Sequence, residues 1–143
     1  MRHVRDFESY LKSGIVKKQA KDIEKAKSLL ENSNQSYEMI QLFIKSAGVS
    51  DKTANHIIKN AYDAIMERIR SKMAEEGYNS SGMGAHEAEV AYLRKLHFLE
   101  TEIELADSLR YYRNRILYYG AQLDKSFAEK VLLFLEKVKS LLQ

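Results

Sequence analysis

Asp51-Lys-Thr-Ala-Asn-His-Ile-Ile-Lys-Asn-Ala-Tyr-Asp-Ala-Ile-Met-Glu-Arg-Ile-Arg-Ser-Lys-Met-Ala-Glu-Glu-Gly77 decides the fold class. Within it Ala54, Ile57, Ile58, Ala61, Ile65, Ile69 and Met73 recur at three- and four-residue steps, which lines them along one face of an α-helix. Asp51 is placed to cap the start of this helix and Gly77 to end it. Upstream, Ile15, Val16, Ala20, Ile23, Ala26, Leu29 and Leu30 carry the same periodicity, so a first long helix is expected to begin near Ile15 and to stop at Gly48. Asn32-Ser-Asn-Gln-Ser36 inside it has weak helix propensity, and the helix either runs on, bends or restarts there before Met39, Ile40, Phe43, Ile44 and Ala47. Downstream, Gly77-Tyr-Asn-Ser-Ser-Gly-Met-Gly84 is uncharged and rich in glycine, which predicts a loop. It has neither the spacing of a P-loop nor a strand before it.

Three further helices are predicted: about Ala85 to Phe98, Thr101 or Glu102 to Tyr119 ending at Gly120, and Lys125 to Leu142 capped by Asp124. Proline is absent and only six glycines occur in 143 residues, which favours helices over sheets. The expected fold is all-α, an up-and-down antiparallel bundle of four to five helices joined by short connections, in one domain spanning 1–143. Cysteine is absent, which excludes disulfides, thiolate metal sites and a cysteine nucleophile. No apolar run approaches the roughly 20 residues of a membrane span, and the start of the chain lacks a leader's pattern, so a soluble cytoplasmic protein with no membrane partner is expected. Lysines and arginines number 23 against 20 acids, a balance too even to name a partner.

The local charge is more informative. Arg110-Tyr-Tyr-Arg-Asn-Arg-Ile-Leu-Tyr-Tyr-Gly120 holds three arginines, and no acid lies between Asp107 and Asp124. Arginine offers a planar donor fork for phosphate and tyrosine a stacking surface with a polar tip. The same residues would also serve as a helix-packing seam with snorkelling arginines. At about 100° per residue, Arg110, Asn114 and Tyr118 share one face, Tyr111, Arg115 and Tyr119 the next, and Arg113 lies about 140° from Tyr118. Leu109, Tyr112 and Ile116 are left for the buried side.

Taken together, the long helix before Gly77-Tyr78, the Gly/Ser loop with His86, Leu93-Arg-Lys-Leu96 and Tyr112-Arg-Asn-Arg-Ile-Leu-Tyr-Tyr-Gly120 resemble the HEPN (higher eukaryotes and prokaryotes nucleotide-binding) family over residues 15–142. The resemblance implies a helical bundle, often a homodimer, in which an Arg-Asn dipeptide and a nearby histidine line a cleft. It implies a metal-independent ribonuclease toxin encoded beside a nucleotidyltransferase, or a nucleotide-binding module that has lost the activity. Arg113 and Asn114 match the dipeptide, but Tyr118 stands where the histidine belongs. Imidazole titrates near pH 6.5 and suits both proton transfers of RNA cleavage, whereas phenol titrates near 10, so the replacement forfeits on the order of 10²–10⁴ in rate. The resemblance also makes Tyr118 or Tyr119 a candidate acceptor for AMP from the nucleotidyltransferase.

The expected function is therefore a nucleotide- or RNA-phosphate-binding module using Arg110, Arg113, Asn114, Arg115, Tyr118 and Tyr119, with a nucleotidyltransferase partner. The alternatives are a ribonuclease using Arg113 with Tyr118 or a recruited His86, and a purely structural dimerisation module. No cofactor is called for. His3, His56, His86 and His97 lack metal-site spacing, so no metal is expected. Glu100, Glu102, Glu104 and Asp107 complement a helix N-terminus, and the Lys17 to Lys27 run, broken by Asp22 and Glu24, is a solvated face.

Overall fold

The computed structural model describes residues 3–143; Met1 and Arg2, the first residues of the segment read as lacking a leader, lie outside them. Six α-helices and two short strands follow in the order α1 (Phe7–Ser13), β1 (Val16–Lys18), α2 (Ile23–Ala47), α3 (Ala54–Glu76), β2 (Tyr78–Ser80), α4 (Ala85–Ala91), a 3₁₀ turn (Tyr92–Leu96), α5 (Glu100–Tyr119) and α6 (Lys125–Leu141). The all-α class holds, and among the described residues no helix is long and apolar enough to cross a membrane.

Helix α3 is the centre. Ile57, Ile58, Ile65 and Ile69 are fully buried, each contributing roughly 1.5–3 kcal/mol of transfer free energy. Against α3 lies α2, running antiparallel: Ser71 donates to the Ala26 carbonyl at 2.6 Å, Ser33 to the Ala64 carbonyl at 2.7 Å, and the Phe43 ring sits 4.3 Å from that of His56. Ser33 and Asn34 belong to the stretch of weak helix propensity. Helix α2 nevertheless passes through it unbroken, because these small polar side chains spend their hydrogen bonds on α3 instead of on their own backbone.

Four boundaries differ from the sequence expectation. The Ile15–Val16 pair does not open a helix; Val16 is buried in β1, which pairs antiparallel with β2 in the register Val16 to Ser80 and Lys18 to Tyr78. Three-residue strands leave too short a pattern to be told from a helical turn. The Gly77–Gly84 segment accordingly begins as a strand and is a loop only beyond Ser80. Asp51 does not cap α3: Thr53 precedes its first residue, while the Asp51 carboxylate accepts from the Lys125 amide at 2.8 Å at the start of α6. The helix from Ala85 is α-helical only to Ala91 before tightening into the 3₁₀ turn, which His97 ends at a φ of 65°.

The caps of α5 and α6 explain how the basic helix is held. The Glu102 carboxylate accepts from the Leu99 amide at 2.8 Å and from Lys137 Nζ at 2.6 Å, tying the start of α5 to α6. Asp124 caps α6 by accepting from the Phe127 amide at 2.8 Å, as expected. Between them, Asn55 on α3 donates to the Ala121 carbonyl and accepts from the Leu123 amide, both at 2.9 Å, which pins the turn after α5.

Candidate functional site

Helix α5 divides its arginine–tyrosine stretch between inside and outside. Leu109 and Ile116 are buried, and Tyr112 packs its ring 4.8 Å from Phe127 of α6. The outer stripe is Arg115, whose guanidinium lies 5.9 Å from the Tyr111 ring and 5.5 Å from that of Tyr119. Tyr118 and Tyr119 are each 76% exposed. Arg113 turns the other way, as its angular position predicts. Its guanidinium lies 5.3 Å from the Tyr62 ring of α3, and one nitrogen sits 3.4 Å from Asp63 Oδ1.

Tyr62 joins this arginine to α4. Its hydroxyl is 3.1 Å from Nδ1 of His86, and the two rings stack at 5.8 Å with planes 18° apart. His86 is buried at 7% exposure, and its Nε2 finds no hydrogen-bond partner. Burial, followed by the positive charge of Arg110, pushes the imidazole pKa below its ordinary 6.5, against the opposing pull of the Asp107 and Glu89 carboxylates and the Asp107 backbone. Burial likewise raises the Tyr62 phenol, opposed by Arg70, Arg113 and Arg110. At neutral pH the pair is an uncharged, hydrogen-bonded phenol and imidazole under a cationic rim. A ring in that state accepts or donates a proton only once a substrate or water reaches Nε2.

The rim is braced from α4. Glu89, buried at 5%, receives Arg70 through two bonds of 2.8 and 3.1 Å and the Ser80 hydroxyl at 3.0 Å. Arg70 is thereby committed to a carboxylate. Arg113 is not: among the described residues Asp63 is its single ion-pair contact, and its Nε is buried without a partner.

Of the residues expected to act, Arg113 reaches Tyr62, the hydrogen-bond partner of His86, and Arg110 acts on the imidazole through its charge. Asn114 is half-buried beside them in sequence, while Arg115, Tyr118 and Tyr119 stay on the solvent side. No bond or ring contact among the described residues joins Tyr118 to Arg113. The pairing of those two as a catalytic unit is therefore not assembled within one chain. Tyr62 and Asp63 were not singled out in the sequence, because a tyrosine and an aspartate on a long amphipathic helix carry no local signal of their partners. Among the described residues no group of three or more His, Asp or Glu side chains is placed to hold a metal ion.

The depressed His86 pKa gives a testable pH dependence. A histidine whose folded pKa lies below its unfolded value binds fewer protons when folded, so stability falls as pH drops below about 6.5, by up to about 1.4 kcal/mol per pH unit. The loss continues until the folded pKa is passed. Urea titrations of wild type and His86→Phe between pH 7.5 and 5 are expected to diverge, the wild type losing more; parallel curves would rule out a buried neutral His86. Comparison of the chain with protein-family models, with curated proteins and with solved structures finds no match.

Proposed function

We propose that this chain is a HEPN-type nucleotide- or RNA-phosphate-binding protein whose anion contacts are Arg113 and Arg110, flanked by Asn114. In this reading the long helices form an up-and-down bundle in a single domain. The protein is a cytoplasmic homodimer and works with a nucleotidyltransferase. The observation that carries it is the state of Arg113: a guanidinium steadied on the Tyr62 face, with its Nε unpaired and one contact of 3.4 Å to a half-exposed carboxylate. Such an arginine has donors to spare for a phosphate, and the Tyr62 ring and the Asp63 carboxylate hold it in place. The resemblance of Arg113-Asn114 to the family's dipeptide supports the same assignment. Titration of labelled ATP and of a short RNA into wild type and Arg113→Ala tests it. Binding that does not depend on Arg113 returns the Arg/Tyr helix to a structural seam.

A second reading is favoured by His86. The imidazole that the motif lacks at Tyr118 is present on α4, hydrogen-bonded to Tyr62 and inside the field of Arg110. As a metal-independent ribonuclease the protein would use His86 for proton transfer and Arg113 for the phosphate. Purified protein would then cleave RNA, with cleavage lost in His86→Ala but binding kept. RNA left intact at high protein concentration eliminates this reading while leaving the binding proposal standing.

A further inference from the structure

A second cationic site lies on the other side of α3, remote from the Tyr62–His86 pair. Arg68 is 4% exposed, in a class of side chain that is almost never this buried without a carboxylate. Among the described residues its one hydrogen bond runs from an Nη to Asn34 Oδ1 on α2, while Nε and the other Nη have no partner. No neighbouring charge offsets its burial, which alone displaces its pKa downward. An uncompensated buried guanidinium is among the costliest groups a small protein can hold. It persists where something supplies the missing negative charge.

The space beside it is shaped for that. A pocket of about 340 Å³ is lined by Leu30, Asn34, Arg68, Lys139 and Gln143. Its lining side chains include two cations and two amides and no carboxylate. Asn34 accepts from Arg68 through its oxygen, so its NH₂ group remains free to donate, while Lys139 comes from the last turn of α6 and Gln143 from just beyond its end. Lys139 is half-buried, with its Nζ 4.7 Å from the Tyr37 ring, and lines the same pocket. A guanidinium and an ammonium lining one pocket match a tetrahedral dianion better than a single carboxylate, which would leave one positive charge uncompensated.

We infer that the Arg68–Lys139 pocket between α2, α3 and α6 binds a phosphate group, either as free phosphate or as the head of a phosphomonoester. The inference is independent of the proposed role of Arg113. The test is thermal unfolding of the Arg113→Ala protein, which removes that other cation, at constant ionic strength in chloride, inorganic phosphate, glycerol phosphate and acetate. Saturable stabilisation by phosphate, on the order of 5 °C at about a hundredfold excess over Kd, is expected, with acetate clearly weaker. Glycerol phosphate matching or exceeding phosphate assigns the site to an ester; phosphate alone assigns it to the free ion. Lys139→Met, at the rim, should reduce the response about tenfold in apparent affinity. Arg68→Met should abolish it while melting no lower than the parent protein in chloride, since it removes a buried charge. No difference between phosphate and chloride, an equal response to acetate, or a phosphate response that survives Arg68→Met overturns the proposal and leaves buried water as the partner of Arg68.

Discussion

Gly77→Val should lower stability by about 4 kcal/mol, the sum of left-handed strain and a backbone collision. Gly77 has a φ of 87°, a region that costs an L-residue about 1–2 kcal/mol and a β-branched one more. A Cβ there would also stand 2.5 Å from the Gln19 carbonyl oxygen, which is backbone and cannot rotate away. The two effects separate by substitution. Gly77→Asn relieves much of the φ penalty but keeps the collision, so it should remain strongly destabilising. At Gly82, with a φ of 77° and nothing within 4 Å of an added Cβ, Ala should cost only about 1 kcal/mol. Urea midpoints ranking Gly82→Ala well above Gly77→Asn, and that above Gly77→Val, are the expected result. Equal costs at the two glycines would rule out a backbone collision at position 77.

The consequence reaches the site. Gly77 is where α3 turns into β2: its amide closes on the Met73 and Ala74 carbonyls, and its own carbonyl takes the Gln19 amide at 2.8 Å. That ladder sets Ser80 against Glu89, and Glu89 holds Arg70. A Gly77 variant that still folds should therefore loosen the α4 side of the Tyr62–His86 pair before the α2 side of α3.

How much of this was legible beforehand depends on which residues are asked. The faces of α3, α5 and α6 follow from spacing alone, since Ile57, Ile65 and Ile69, or Val131, Leu135 and Val138, repeat often enough to fix a period, and all are buried. The outward aim of Arg115 and the inward aim of Leu109 followed from the same arithmetic. What spacing could not supply was the identity of partners. His86 and Tyr62 are 24 positions apart, and their hydrogen bond exists only because α4 folds back over α3. The Asp51 carboxylate was a plausible cap by type and position, yet the Lys125 amide, 74 residues on, claims it. The strands failed for a different reason: with three residues each, Val16–Lys18 and Tyr78–Ser80 are defined by pairing and not by pattern. Arg68 carried no signal of its own, because an arginine within an amphipathic helix reads the same in the sequence whether it is buried or exposed.

Arg113→Ala and Asp63→Asn should change phosphate binding in opposite directions. Arg113 offers charge-assisted hydrogen bonds, each worth about 1.5–3 kcal/mol, so its loss should weaken ATP or RNA binding by on the order of 30-fold. It should also reduce the slope of log affinity against log salt for single-stranded RNA by about 0.7, one phosphate contact's share. Asp63 acts against the ligand: it holds the same guanidinium at 3.4 Å and presents a negative charge to an incoming phosphate. Because Arg113 and Asp63 side chains are 33% and 49% exposed, that ion pair is worth at most about 1 kcal/mol, and Asp63→Asn should tighten binding by about threefold. Arg115→Ala, which removes a cation resting on exposed tyrosines, should cost much less than Arg113→Ala and only at low salt. A merely structural Arg113 predicts another pattern, with Asp63→Asn lowering the melting temperature and leaving ligand affinity untouched. Measuring both quantities on the same variants therefore decides whether the contact between α3 and α5 is a closed seam or a phosphate site held shut by its own aspartate.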